Sequence, residues 1–122
     1  MKGITVLLVL ALLMSASAFA ETIYLQCAYK PDKSQTINLT VDPDAKTVDN
    51  KPATISTTAI DWQLEVSVDG STHGETATIY NHIDRVTGTF STRATFHFRN
   101  GDRTNPPSTY DCTPASAPKT KF

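Results

Sequence analysis

The sequence predicts an all-β domain: an antiparallel meander of about seven or eight strands, closing as a small barrel or barrel-like sandwich. Three observations carry that prediction. First, Ile60-Asp61-Trp62-Gln63-Leu64-Glu65-Val66-Ser67-Val68 alternates apolar and polar residues without a break, so one face of an extended strand is buried and the other is wet. Second, no window carries a helical period, and turn signals recur at about the 8–12-residue spacing of all-β domains. Third, Cys27 and Cys112 lie near opposite ends of the chain. A bond between them places the first strand beside the last, as closure of a meander requires.

Each element follows from its own pattern. Ile23, Leu25, Cys27 and Tyr29 share one parity and make the first strand, with Cys27 inward. Pro31-Asp32-Lys33-Ser34 is a turn. Ile37, Leu39 and Val41 mark the second strand, and Asp42-Pro43-Asp44-Ala45 the next tight turn, with Pro presetting φ at its second position. Thr47 to Asp49 is a short extended piece, and Ala53 to Ser56 is a further strand. After Ile60–Val68, which holds the only Trp, Asp69-Gly70 opens a loop longer than two residues. Thr76 to Val86 returns with Ile79 and Ile83 inward, leaving Thr78, Tyr80, His82 and Asp84 outside. Thr87-Gly88 turns the chain into the strand Phe90–Arg99, and Asn100-Gly101 turns it again. Pro106-Pro107 interrupts the way back, so pairing there is at an edge or absent. Tyr110 and Cys112 share parity in the last strand.

The ends of the chain set its compartment. Lys2, the apolar run Ile4 to Met14 and the small residues of Ala18-Phe19-Ala20 have the layout of a secretory signal over residues 1–20. That run is about half the ~20 residues a membrane span needs. The domain is expected over 21–113 and a disordered Pro/Ala/Lys tail over 114–122. The expected location is the periplasm or the extracellular space, where a lone pair of cysteines reads as a disulfide, Cys27–Cys112. With 11 basic and 12 acidic residues, and Lys2 inside the signal, the domain is near neutral. That gives no nucleic-acid surface. No second apolar span follows, so no membrane crossing is expected.

Tyr24-Leu25-Gln26-Cys27, Ile83-Asp84-Arg85-Val86-Thr87-Gly88 and Tyr110-Asp111-Cys112 give the chain a layout that resembles small exported bacterial β-domain proteins of uncharacterised function. That resemblance implies a compartment and a fold, not an activity. The layout is also somewhat similar to the periplasmic inhibitors of c-type lysozyme. Their Ser-Gly-x-x-Tyr loop has no counterpart here, because Asp69-Gly70-Ser71 has no Tyr at the matching place, and no residue is carried over from them.

Candidate chemistry concentrates late in the chain. A two-residue Thr87-Gly88 loop would place Asp84 opposite Ser91, His82 opposite Arg93 and Thr78 opposite His97. An exposed His82/Asp84/Ser91 cluster then invites a hydrolase or lyase reading, but nothing in the pattern excludes water or supplies an oxyanion hole. All four arginines, Arg85, Arg93, Arg99 and Arg103, also fall late. Arg93, His97 and Arg99, with His82 alongside, make a candidate anion-binding face, because Arg contacts carboxylate or phosphate through two parallel hydrogen bonds. His73, His82 and His97 do not converge on a point, so no metal or other cofactor is expected. Trp62, Phe90, Phe96, Phe98 and Tyr29 face inward, as core or as the lining of a barrel pocket.

The function expected from these features is a small, monomeric, non-catalytic binding module whose partner is a protein or a small anionic ligand. The alternatives are the hydrolase or lyase at His82, and a structural component of an envelope assembly joined by strand addition.

Overall fold

The computed structural model describes residues 21–71 and 73–116. The expected export signal over 1–20 and the tail beyond 116 lie outside the described residues. Six strands follow the long alternating or apolar runs: β1 (Ile23–Tyr29), β2 (Thr36–Asp42), β6 (Ala59–Ser67), β7 (Thr76–Asp84), β8 (Thr89–Phe98) and β10 (Ser108–Pro114). Four are short: β3 (Thr47–Val48), β4 (Lys51–Pro52), β5 (Thr54–Ile55) and β9 (Gly101–Thr104). The two strands beyond the expected seven or eight are β4, two residues with no period to read, and β9, which follows directly on the Asn100-Gly101 turn.

The sheet runs β4-β3-β2-β1-β10-β8-β7-β6-β5, and β9 pairs with the far half of β8. Every pairing is antiparallel. The two outermost strands, β4 and β5, are separated in the chain by Ala53 alone. The sheet therefore curls until its own edges meet, giving a nearly closed barrel. The first and last strands pair in its middle, with Cys27 directly opposite Cys112 and the disulfide between them. β10 runs one residue past the expected boundary at 113. Its Pro114 is paired with Leu25, and the Ala115 N–H donates to the Tyr24 carbonyl.

The β8 edge is shared. Residues 89–92 pair with β10 and residues 95–98 with β9. The Pro106-Pro107 break lies between those two partners, because proline has no N–H to give the ladder.

The turn between β7 and β8 differs from the two-residue loop that the sequence suggests. It holds four residues, Arg85–Gly88, and Asp84 pairs with Thr89. A two-residue type I′ loop would need φ > 0 at Thr87, which a β-branched residue resists. Instead Asp84 Oδ1 accepts the N–H groups of Val86 and Thr87, the Gly88 N–H donates to the Asp84 carbonyl, and Gly88 alone takes positive φ, 76°. The Thr87 and Val86 N–H groups together hold the Asp84 carboxyl below the usual carboxylate range. The register therefore slides by two: His82 lies opposite Ser91, Tyr80 opposite Arg93 and Thr78 opposite Thr95.

The core is one buried cluster. Val41, Val48, Ile60, Ile83 and the buried Cys27 pack there with a row of rings. Trp62 stacks on Phe90 (centroids 5.6 Å), Phe90 meets Tyr110 (5.4 Å) and Tyr110 meets Tyr29 (5.2 Å). The row crosses the barrel from β6 to β1. Each such pair adds about 0.5–1.5 kcal/mol beyond burial. Phe96 and Phe98 face inward too, but they stack on each other (5.8 Å) away from that core, and Phe98 stays 37 % exposed. Parity fixed their face, not their depth.

Candidate functional site

The β6–β7–β8 hairpins are in register over their length, so their outer side chains line up in rows across the sheet. One row is Asp61, His82 and Ser91. The next is Gln63, Tyr80 and Arg93. A third begins with Glu65, Thr78 and Thr95. The first two rows wall an open depression of about 790 Å³, flanked by Thr54 and Pro107. Trp62, Asn81 and Thr92, whose side chains turn to the interior, supply its floor.

In the first row His82 Nδ1 and Asp61 Oδ1 are 2.6 Å apart. About half of each side chain is exposed, so the pair adds little to stability. The Asp61–His82–Ser91 order is that of an acid, a base and a nucleophile. The N–H groups next to Ser91 lie in a strand paired on both sides, to β7 and to β10, and the face is wet. Those N–H groups are committed to the ladder and are not available to an oxyanion. Asp84, the acid expected beside His82, is two residues away and committed to the turn.

In the second row the Arg93 guanidinium lies 5.3 Å from the Tyr80 ring centroid. The register shift also moves Asp84 away from Arg93, to sit opposite Thr89. Among the described residues no carboxylate is within ion-pair distance of Arg93.

The four residues expected to form one anion face do not come together. His82 and Arg93 share the depression. His97 is bound into a separate chain of contacts: Nδ1 to Asp102 Oδ1 (3.1 Å) and Nε2 to Thr78 Oγ1 (2.7 Å), with the Thr78 hydroxyl donating to Glu65 Oε2 (2.8 Å). Arg99 lies in the β8–β9 turn, in a smaller hollow of about 560 Å³ with His73, Phe98 and Arg103. The expectation fails because outward parity is shared by a whole ten-residue strand, whose two ends stand about 30 Å apart.

Among the described residues no three His, Cys, Asp or Glu side chains are grouped to hold a metal ion. No helix among them is long and apolar enough to cross a membrane. Two residues of the sheet were not singled out from sequence. Asp61 has outward parity in the Ile60–Val68 strand, but its contact with His82 needs the hairpin register. Asn81 lies between Ile79 and Ile83 and so has inward parity. No family model, curated protein or solved structure matches the chain.

Proposed function

We propose that this chain is a small exported binding module, without catalytic machinery, that takes a carboxylate- or phosphate-bearing ligand at Arg93. One observation carries this reading. Arg93 is an arginine with no carboxylate partner among the described residues, held over Tyr80 in an open depression of the sheet. A stacked guanidinium is already oriented, so less side-chain entropy is lost when an anion binds. Ser91, His82 and Gln63 stand around it as further hydrogen-bonding groups. The disulfide and the apolar start of the chain are compatible with export.

The test is an NMR titration with citrate and with inorganic phosphate, following the Arg93 side-chain N–H signal at low and high salt. The expected result is saturable binding that weakens with salt and falls at least about tenfold in Arg93→Gln, the scale of one charged hydrogen-bonded contact. Equal binding by the variant would overturn it.

The assembly reading has one observation in its favour. β5 covers only Ile60 and Asp61 of β6, and among the described residues no strand pairs with the same edge from Trp62 to Ser67. An open edge of that length can accept an added strand. It predicts a mass that rises with concentration in sedimentation. A monomer throughout would remove self-assembly by this edge.

A further inference from the structure

The far end of β8 carries a second and independent feature. The β8–β9 hairpin turns through two residues, Arg99 and Asn100, with Phe98 paired to Gly101. Glycine has no side chain to lay against the Phe98 ring, and a Cβ at Gly101 would meet no described atom within 4 Å. On the other side, the pairing of β8 with β7 stops at His97 and Thr76, one residue short of Phe98. Phe98 stacks on Phe96 along its own strand, but neither neighbouring strand lays a paired side chain across it, and the ring stays exposed.

That ring borders the hollow of about 560 Å³, and two arginines line the hollow with it. Arg99 is the first residue of the turn. Arg103 lies opposite Phe96 and so shares a face with Phe96 and Phe98, on a diagonal that a long side chain can span. Neither guanidinium has an ion-pair or hydrogen-bond partner among the described residues. The two carboxylates of the lining differ. Asp102 accepts from His97 Nδ1 (3.1 Å). The Glu75 carboxylate has no partner among the described residues. His73, exposed, is the remaining titratable group of the lining.

We infer that this hollow binds a flat aromatic carboxylate, its ring against Phe98 and its carboxylate on Arg99 and Arg103. Two unpartnered cations against one unpartnered anion suit a ligand with a single negative charge, and Glu75 repels a second one. A guanidinium holds a carboxylate through two parallel hydrogen bonds. An open aromatic ring beside it favours an aromatic body over an aliphatic one. The site is separate from Arg93, whose side chain leaves the opposite face of β8 from Phe98, about 17 Å away along the strand at ~3.4 Å per residue.

The probe is 2-naphthoate, titrated against the folded domain while NMR follows the Phe98 ring signals and the Arg99 and Arg103 Nε–H signals. Two comparison molecules separate the contacts. 2-Naphthalenemethanol keeps the ring and lacks the charge; cyclohexanecarboxylate keeps the charge and lacks the aromatic ring. The expected result is saturable binding of 2-naphthoate that moves both sets of signals, with both comparison molecules severalfold weaker. Arg103→Gln should weaken 2-naphthoate about tenfold, the scale of one charged hydrogen-bonded contact, and Phe98→Leu should bring it down to the level of cyclohexanecarboxylate. Phe98, Arg99 and Arg103 are all exposed, so their substitution leaves the fold in place. Glu75→Gln should strengthen naphthalene-2,6-dicarboxylate more than 2-naphthoate. The inference is overturned if the Phe98 signals do not move saturably, if either comparison molecule binds as tightly as 2-naphthoate, or if Arg99→Gln and Arg103→Gln both leave its affinity unaltered.

Discussion

Breaking Cys27–Cys112 should lower the melting temperature by tens of degrees. The bond closes a loop of 85 residues. The chain-entropy relation for that length gives about 15 cal/mol/K, or about 4.6 kcal/mol at 25 °C. A domain of this size moves roughly 4–8 °C per kcal/mol, so the shift expected is roughly 20–35 °C. The position of the bond makes the full value available. β1 pairing with β10 is the one strand pairing, among the described residues, that joins β1–β4 to β5–β10, and the bond spans that seam. Two perturbations separate entropy from packing. Reduction with a phosphine keeps both sulfurs in place, and Cys27→Ala with Cys112→Ala also empties a fully buried position, adding about 1 kcal/mol or more. Because Cys27 is 0 % exposed, reduction must be done unfolded, followed by refolding and a mass measurement that finds two free thiols. Thermal melts by circular dichroism then compare oxidised, reduced and doubly substituted protein. A fully reduced sample melting within about 5 °C of the oxidised one, less than the shift from ~1 kcal/mol at the upper slope, would refute the reasoning. The seam would then hold without its crosslink.

Two further outcomes follow from the β7–β8 turn. Gly88→Ala should cost about 1–2 kcal/mol, because Gly88 has φ 76° and an added Cβ would stand 3.1 Å from the Cys112 carbonyl oxygen; an unchanged denaturation midpoint would contradict this. The Asp84 carboxyl is held below its usual value of 3.8 by the Thr87 and Val86 N–H groups. A depressed folded value gives stability that is present above the unfolded pKa and lost as pH falls through the folded one. Wild-type stability should therefore decline below about pH 4, and Asp84→Asn should decline less over that window; parallel acid titrations of the two proteins would tell against the cap.

Faces were legible in the sequence and depths were not. The alternation at Ile60–Val68 names the inner and outer side chains correctly because a pleated strand offers only two directions. The same rule put Phe98 inside without saying that it would stay 37 % exposed. Register was the larger obstacle. A one-carboxylate device, Asp84 capping Val86 and Thr87, decides whether two or four residues lie in the turn, and that choice moves every cross-strand neighbour by two positions. His82 consequently meets Ser91 rather than Arg93. Asn81 was within reach: it shares parity with Ile79 and Ile83, and a polar residue at an inward position is informative in a way that an exposed one is not.

The seam between β1 and β10 also sets how the domain would carry a load. Its two strands are antiparallel, so the ends near Tyr24 and Ala115 leave the barrel side by side. Tension between them peels the ladder one rung at a time, past Leu25 and Gln26, and meets the Cys27–Cys112 crosslink three rungs in. Nothing beyond it can be drawn out: the enclosed chain, roughly 300 Å if extended at about 3.4 Å per residue, stays out of the line of force. With the bond intact the domain is a short, stiff link. Reduction turns it into an extensible one, and a force trace taken with and without reductant would show that length appear.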